Sequence, residues 1–259
     1  MGNMAMKINP EIFRLGPLSV RWYGVMVACG FLSAFLLGLR RSKRYGFTKD
    51  DVSDCIFWAV IGGLVGARLL YVIRFWEEFA DNPLDILKIY QGGLVFLGGF
   101  AGAAVAILLL ARRRKWEFWR IADFVAPMLP LGQAFGRIGC LLNGCCYGRC
   151  YRWWFQMDYP HLPYPVFPIQ AVYSLAVFAL CGLLLWLERR EFFPKRRFLV
   201  YLVCYCVGRF CLEFGRGDYP SEQLLLGLTP AQITCLWLLP LSCAIYAVLA
   251  FVKRKREAK

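Results

Sequence analysis

Residues 136–149, which read GRIGCLLNGCCYGR, combine chemical groups that seldom occur together beside an apolar run. The segment holds Arg137, Asn143, four glycines and three cysteines directly after a mostly apolar stretch. Arginine binds phosphate or carboxylate through a planar fork of N–H donors, and glycine lets a ligand or a second backbone come close. These residue types therefore favour an anion-binding site built where a helix passes into a loop.

A second group of charged residues follows in the segment GRFCLEFGRGDYP at 208–220. Arg209, Glu213 and Arg216 are spaced i, i+4 and i+7, which places them on one face of a helix. A glutamate between two arginines can be neutralised while one guanidinium remains available for an anion. This segment indicates a charge cluster with a net positive character.

The elements that must position these residues are predicted to be transmembrane helices. The chain of 259 residues is 59% hydrophobic, and its mean hydropathy is +0.49. A helix needs about 20 apolar residues to cross about 30 Å of hydrocarbon. The sequence predicts an all-α polytopic membrane protein, a single transmembrane domain over 1–259, with a polar start rather than a cleavable signal peptide. Seven stretches qualify as spans: 18–38, 54–73, 92–111, 121–143, 168–187, 198–214 and 230–252.

The basic residues predict the orientation of these spans. Four segments hold five Lys or Arg each, twenty of the 31 in the chain, at 40–49, 112–120, 189–197 and 253–259. All four fall on one side of the membrane, and basic loops stay cytoplasmic. The N-terminus is therefore expected outside and the C-terminus inside. The net charge of +14 is interpreted as a topology signal rather than as a nucleic-acid surface.

Helix rise converts sequence position into depth, at about 1.5 Å per residue. Counted from the cytoplasmic ends, Arg68, Arg137, Arg209 and Glu213 reach the outer half of the membrane, where Tyr23 also lies. Ionisable residues inside spans are costly and mark functional sites. The residues alone thus predict a cavity for a lipid phosphate that opens toward the outer leaflet. Close helix packing is expected at the glycine pairs 62/66, 98/102 and 132/136.

The twelve cysteines do not predict a metal site or a cofactor. Most of them lie inside apolar spans, where cysteine behaves as a small hydrophobic residue. The cluster Cys140, Cys145, Cys146 and Cys150 has the spacing C-x4-C-C-x3-C, which differs from the two-residue gaps of common zinc sites. A disulfide among these four residues on the outer face stays open as an alternative.

Six segments of the chain form a recognisable series. They are RWYG (21–24), GGLVGARLLYV (62–72), GGLVFLGGFAGA (92–103), GRIGCLLNGCCYGR (136–149), FPIQAVYS (167–174) and GRFCLEFGRGDYP (208–220). In their order and approximate spacing, over essentially the whole chain, they resemble the bacterial prolipoprotein diacylglyceryl transferase family. The resemblance implies seven spans in a bacterial inner membrane. It also implies transfer of a diacylglyceryl group from phosphatidylglycerol to the lipobox cysteine thiol of a prolipoprotein.

The resemblance also assigns roles to individual residues. It implies that Arg209, Glu213 and Tyr23 act in catalysis. It further implies a phosphatidylglycerol-binding set, with no metal and no cofactor, and with prolipoprotein and membrane lipids as partners. That binding set is Arg137, Asn143, Gly144, Gly148 and Arg68.

Two positions depart from the family pattern. Leu97 and Phe167 stand where many members have histidine, a candidate base for removing the proton of a thiol. The remaining histidine, His161, is expected to be a solvated loop residue. Either the nearby arginines make a base dispensable, or the chain is a divergent, non-catalytic phospholipid-binding paralogue. An anion transporter is a third reading, disfavoured because no polar line reaches the cytoplasmic side.

Overall fold

The computed structural model describes residues 4–7, 9–15, 18–80, 82–88, 92–150, 155–219 and 224–257. The structure is 71% helical, which confirms the all-α polytopic class. Thr48 begins the second helix with a capping box, because its side chain accepts from Asp51 N and Asp51 accepts from Thr48 N. Within the described residues the α-helices are α1 Trp22–Arg41, α2 Lys49–Arg74, α3 Phe96–Arg113, α4 Phe118–Val125, α5 Met128–Asn143, α6 Ile169–Arg189, α7 Arg197–Glu213 and α8 Pro230–Glu257.

Six helical segments of the described chain are long and apolar enough to cross a membrane. They are Trp22–Tyr45, Lys49–Arg74, Phe96–Arg113, Phe118–Asn143, Ile169–Arg189 and Pro230–Phe251. The predicted sixth span corresponds to α7, which has 17 residues and carries Arg209 and Glu213. At about 1.5 Å per residue α7 still reaches about 26 Å. The count of seven spans and the orientation of the termini stay predictions.

Two predicted spans differ from the observed helices for identifiable reasons. The first span begins at Trp22 rather than at residue 18, because Leu18–Arg21 forms a strand. The fourth span is divided into α4 and α5 by a turn at residues 126–127. Pro127 lacks an N–H donor and disfavours helical geometry at Ala126, so the helix breaks there.

Four short strands were not predicted from the sequence. They are β1 Met4–Lys7, β2 Glu11–Leu15, β3 Leu18–Arg21 and β4 Phe155–Asp158. Strand β1 pairs in parallel with β4, and β2 pairs antiparallel with β3. Strands of four or five residues are too short to show a clear alternation of apolar and polar residues, so the sequence does not predict them. The β1–β4 pair ties the residues before α1 to the long loop after α5, whereas β2 and β3 form a hairpin that leads into α1.

The chain forms two compact units, Met1–Ala34 with Val125–Lys259, and Phe35–Phe124. The sequence predicts that both units belong to a single transmembrane domain over 1–259, and this stays a prediction. Within the second unit, α2 and α3 pack closely through their glycines. A Cβ atom on Gly66 would lie 2.8 Å from Gly102 Cα, and one on Gly62 would lie 2.7 Å from Gly102 O. The close packing predicted for these two glycine pairs is thus observed.

The third glycine pair behaves differently. A Cβ atom on Gly30 of α1 would lie 3.2 Å from Gly132 O, so the backbones of α1 and α5 approach at that level. Gly136 has no heavy atom within 4 Å of the position where a Cβ would be. A Cβ atom on Gly132 itself would likewise meet no heavy atom within 4 Å. The close approach at this level therefore requires glycine at position 30, and the close packing predicted for the pair 132/136 is not seen at the Cβ position of either glycine.

Candidate functional site

Helix α5 presents Arg137 near its end, before the chain turns at Gly144. The guanidinium carbon of Arg137 lies 4.8 Å from the centre of the Tyr173 ring of α6. Within the residues that the structure describes, Arg137 has no hydrogen bond and no carboxylate partner. Its electrostatic neighbours are the thiols of Cys140 and Cys146 and the hydroxyls of Tyr205 and Tyr173. The N–H fork of Arg137 is therefore available to an external anion.

Glu213 is the centre of a buried network at the end of α7. Its side chain is fully buried between two arginines, with Arg209 Nη1 at 3.0 Å and Arg216 Nη1 at 3.1 Å. Tyr173 donates its hydroxyl to Glu213 Oε2 at 2.6 Å, and Thr229 donates to Oε1 at 3.2 Å. The predicted cluster of Arg209, Glu213 and Arg216 is thus present as one network. Both carboxylate oxygens of Glu213 are therefore bound by protein groups, and its negative charge is balanced by the two arginines.

Arg216 is held more completely than the other two arginines. Its Nε and Nη2 donate to the two oxygens of Asp218 at 2.9 and 2.7 Å, in addition to the contact with Glu213. Burial opposes the charge of Arg216, yet Asp218, Cys146 and Glu213 together raise the pKa of the guanidinium. Arg216 is consequently a fixed cation that stabilises the loop after α7.

Tyr173 links Arg137 to this network, and no pattern in the sequence indicated this role. The guanidinium of Arg209 lies 5.0 Å from the same ring that Arg137 contacts. The ring faces attract both cations, while the hydroxyl is bound to Glu213. A tyrosine in an apolar helix is ordinarily interpreted as a packing residue. The link that Tyr173 makes between the arginines and Glu213 is therefore apparent only from its contacts in the structure.

An apolar groove of about 410 Å³ adjoins Tyr173 and Arg209 between α6 and α7. Its other walls are mostly aliphatic or small side chains, including Val177, Leu180 and Gly208, together with Tyr205. A cation and a tyrosine at one end of an apolar channel match the shape of an amphiphile. The groove therefore has the chemistry to hold a hydrocarbon chain with its polar end at the arginines.

Gly144 ends α5 in the left-handed conformation, with φ of 73°. A Cβ atom there would lie 2.6 Å from His161 Cε1 and 2.7 Å from Tyr159 Cδ1. Tyr159 donates its hydroxyl to Leu141 O at 2.6 Å, so the loop is fixed onto the end of the helix. Gly144 accordingly serves the turn and its packing, and its predicted contact with lipid stays a prediction.

Gly148 allows two loops to approach backbone to backbone. Gly148 N donates to Phe167 O at 2.9 Å, and Arg149 N donates to Gly215 O at 3.1 Å. A Cβ atom on Gly148 would lie 2.8 Å from Phe167 O. The glycine thus holds the loop after α5 against the loop that carries Arg216. Gly148 positions this region, and a direct contact with lipid stays a prediction.

Asn143 is the last residue of α5, and Tyr23 of α1 packs against the same helix near its end. Asn143 lines a second cavity of about 350 Å³, together with Arg21, Cys145 and His161. Tyr23, at the start of α1, is 41% exposed, and it packs where a Cβ on Gly139 would lie 3.2 Å from its Cδ2. Its hydroxyl interacts electrostatically with Cys140 and Arg137. The structure therefore brings Tyr23 to the same end of α5 as Arg137.

Arg68 in α2 has different surroundings. Its guanidinium donates to the backbone carbonyls of Asp85, Ile86, Gly92 and Gly93, at 2.7 to 3.1 Å. The residue is 9% exposed. Four carbonyl bonds leave little capacity for a phosphate, so the geometry gives Arg68 the role of holding the loop between α2 and α3. Its predicted place in the lipid-binding set is not tested by these contacts.

Leu97, Phe167 and His161 are the three positions that bear on the absent histidine base. Leu97 lies in the first turn of α3 and is 66% exposed. Phe167 lies in the loop before α6, where its carbonyl accepts from Gly148 N. His161 is exposed, as expected of a loop residue, but its Nε2 lies 2.9 Å from Gly144 O. That contact ties the imidazole to the turn.

Cys140, Cys145 and Cys146 converge, which the sequence spacing did not predict. Their sulfur atoms all lie within 4.8 Å of one another. The turn at Gly144 and a φ of 58° at Cys146 fold the loop back onto the last turn of α5. Hydrogen bonds from the thiols of Cys140 and Cys145, followed by the charges of Arg216 and Arg137, hold the pKa of Cys146 below its ordinary value. Spacing rules for zinc sites assume other turns and so missed this cluster.

Known proteins identify the family. Residues 10–248 match the family described as prolipoprotein diacylglyceryl transferase. The chain belongs to this family. A relative from Clostridium tetani is 33% identical over 252 residues, 95% of this chain and 100% of that protein. A relative from Idiomarina loihiensis is 34% identical over 256 residues, covering 96% and 94% of the two chains. A third, from Aeromonas salmonicida, is 38% identical over 227 residues, covering 84% and 80%.

These three relatives carry one name, phosphatidylglycerol–prolipoprotein diacylglyceryl transferase. The matched range of the family includes α1 to α7 and most of α8, so it contains Arg137, Tyr173 and the Glu213 network. The resemblance drawn from the sequence is therefore confirmed at the level of the family.

Proposed function

We propose that this chain transfers the diacylglyceryl group of phosphatidylglycerol to a cysteine thiol of prolipoproteins, in the biogenesis of lipoproteins. The family and the names of the relatives support the reaction. The observation that carries the assignment of the site is the guanidinium of Arg137, which has no hydrogen bond or carboxylate partner among the described residues. A free phospholipid-binding arginine is what a transferase acting on phosphatidylglycerol requires.

The reaction is an alkylation of sulfur. The thiolate of the lipobox cysteine attacks the glycerol carbon that carries the phosphate, and the C–O bond to the phosphate breaks. Glycerol phosphate leaves with the electron pair, and a thioether remains. Negative charge develops on the leaving phosphate, so a preorganised guanidinium lowers the barrier. We assign this role to Arg137, because its N–H fork makes no hydrogen bond within the part of the chain that the structure describes.

The surroundings of Arg137 support a division of labour. The apolar groove beside Tyr173 and Arg209 takes an acyl chain of the lipid. Glu213 neutralises Arg209 and Arg216, so that these cations form a rigid frame rather than competing for the phosphate. Tyr23 and Asn143 both lie near the end of α5 and are assigned to contacts with the substrates. Gly144, Gly148 and Arg68 are assigned mainly to positioning.

The chain is a multi-pass membrane protein, and we place it in the bacterial inner membrane with the site toward the outer leaflet. Cysteines introduced at Lys43 and Arg113 are expected inside and one at Tyr159 outside, because basic loops stay cytoplasmic. Ser221, also predicted outside, lies beyond the described residues. Tyr159 itself is fully buried, so the outer labelling position is a cysteine at Tyr164 of the same loop, which is 50% exposed. An impermeant thiol reagent applied to intact cells should label position 164 alone, on a background without exposed native cysteines. Labelling at position 43 would reverse the orientation.

The test of function uses purified protein, phosphatidylglycerol vesicles and a lipobox peptide, with mass spectrometry of the peptide. A mass increase equal to one diacylglyceryl group on the cysteine is expected, and the same peptide with serine should stay unmodified. A preparation that binds phosphatidylglycerol but forms no thioether between pH 6 and 9 would contradict the proposal. That result would favour a lipid-binding paralogue, for which the substitutions to Leu97 and Phe167 are the supporting observation.

A further inference from the structure

The three clustered cysteines have no role in the reaction as derived so far. Cys140 occupies the last turn of α5, and Cys145 and Cys146 follow the turn at Gly144. Cys145 N donates to Cys140 O at 3.2 Å, which fixes the backbone of the second cysteine on the end of the helix. Gln170 donates to Cys145 O at 2.7 Å and fixes the loop from the side of α6. The cluster is thus held by the fold from two directions.

The separation of the sulfur atoms suits a metal ion. Thiolates bind zinc tetrahedrally at about 2.3 Å, which places the sulfurs about 3.8 Å from one another. The three sulfur atoms lie within 4.8 Å of one another, so small side-chain rotations bring them onto three corners of a tetrahedron. No further histidine, cysteine or carboxylate of the described residues joins the set. The fourth corner is therefore left to an external ligand, which is the arrangement of catalytic rather than structural zinc sites.

The charges around the cluster favour such a complex. A divalent ion with three thiolates carries a net charge of −1, and a fourth thiolate makes it −2. Arg137 and Arg216 are both within electrostatic range of Cys146. Arg137 and Cys140 are three residues apart on α5, with about 5–6 Å between such Cβ atoms. A phosphate on Arg137 would thus lie next to a ligand on the metal.

We propose that Cys140, Cys145 and Cys146 bind a thiophilic divalent ion such as zinc, whose fourth coordination position takes the thiol of the prolipoprotein. The second half rests on the function proposed above. Coordination deprotonates the thiol, and the proton leaves to solvent. The metal-bound thiolate then attacks the glycerol carbon, the S–C bond forms, and the C–O electron pair leaves with glycerol phosphate. The neutral thioether is a weaker ligand and leaves the metal.

This arrangement supplies the step for which the chain has no histidine at positions 97 and 167. A free thiol with a pKa of about 8.5 is only a few per cent ionised at pH 7. In many other members of the family, a histidine at these positions is the candidate base that removes the proton of the thiol. A metal ion forms the thiolate by coordination instead, so that no protein base is needed. In this chain, the metal held by the cysteine cluster would therefore replace the histidine base in forming the thiolate.

The first experiment measures metal content. The full-length protein, purified in detergent without chelator, is expected to hold or take up about one zinc ion per chain, measured by mass spectrometry of the elements. X-ray absorption should show three sulfur ligands at about 2.3 Å. The variant with C140S, C145S and C146S should lose this ion, while C150S and C211S should keep it. Thermal unfolding of each variant shows that the chain is still folded.

The second experiment tests the fourth position. Cobalt(II) is bound in place of zinc, and a lipobox peptide is added without lipid. The thiolate-to-cobalt absorption should increase as the sulfur ligands rise from three to four, and the peptide with serine should cause no change. Unchanged absorption with the cysteine peptide overturns the assignment of the fourth ligand.

The remaining outcomes separate this proposal from the proposed function. A disulfide between two of the three cysteines in the intact mass overturns the metal site, as does failure to take up zinc or cobalt. Full thioether formation by metal-free protein refutes the inference and leaves the transferase function standing. A bound metal without any thioether product leaves the metal site standing and refutes the function.

Discussion

Arg68 in α2 and Arg137 in α5 each lie in an apolar helix, but their guanidinium groups have opposite surroundings. Arg68 donates to four backbone carbonyls of the loop between α2 and α3. Arg137 contacts the ring of Tyr173 and has no hydrogen bond to the part of the chain that the structure describes. A saturated arginine organises backbone, whereas an unpaired one remains available to a ligand. The same residue type thus does two different jobs.

A third region completes the comparison. Arg209 and Arg216 share one buried carboxylate, Glu213, and neither is free in the way that Arg137 is. Taking a buried charge out of water is costly, so a partnered arginine is held by its partner. The number of arginines predicted to lie in the outer half of the membrane therefore overstates the number available to a phosphate.

The largest effect is expected from removing the shared carboxylate. Glu213→Gln leaves Arg209 without its carboxylate inside the protein, and breaking a buried pair costs about 3–5 kcal/mol of stability. Thermal or denaturant unfolding in detergent measures the loss. Glu77→Gln is the matched control, since Glu77 is exposed. Equal stability of the two variants would show that the network around Glu213 does not hold the end of α7.

An intermediate effect is expected at the saturated arginine. Arg68→Lys keeps the charge but cannot reach all four carbonyls, and hydrogen bonds to charged groups contribute about 1.5–3 kcal/mol each. We expect about 2–3 kcal/mol lower stability, while the turnover of the folded fraction stays near that of the wild type. Arg74→Lys, on the exposed end of the same helix, is the control. A fall in turnover at unchanged stability would place Arg68 in the lipid site after all.

The smallest effect concerns two glycines of α5 and its turn. Gly144→Ala places a side chain at φ of 73° and against Tyr159 and His161, so we expect a loss of about 1–3 kcal/mol. Gly136→Ala meets no atom within 4 Å and should be neutral or stabilise the helix by up to about 1 kcal/mol. Unfolding of both variants measures the difference. A stable Gly144→Ala would contradict a requirement for the left-handed turn.

The fold class could be predicted from hydrophobic length, because crossing a bilayer imposes a strong constraint on composition. The break at Pro127 was missed, since the apolar pattern continues through it. The cluster of Arg209, Glu213 and Arg216 was predicted because helical spacing alone brings its members together. The convergence of Cys140, Cys145 and Cys146 depends on backbone angles at two residues, and the role of Tyr173 depends on contacts between helices. The spacing of residues along the sequence contains neither these backbone angles nor the contacts between helices.

The central claim is that Arg137 holds the phosphate of phosphatidylglycerol with its planar fork. The direct measurement is turnover and retained phosphatidylglycerol in Arg137→Lys and Arg137→Ala, compared with Arg74→Lys and with unfolding data for each variant. Both Arg137 variants should lose about 10²–10³ in rate and retain less lipid, because an ammonium cannot replace the bidentate contact. Their stability should stay within about 1 kcal/mol of the wild type, since among the described residues only the contact with the Tyr173 ring is affected. Near-normal turnover and lipid retention in Arg137→Lys would contradict the claim.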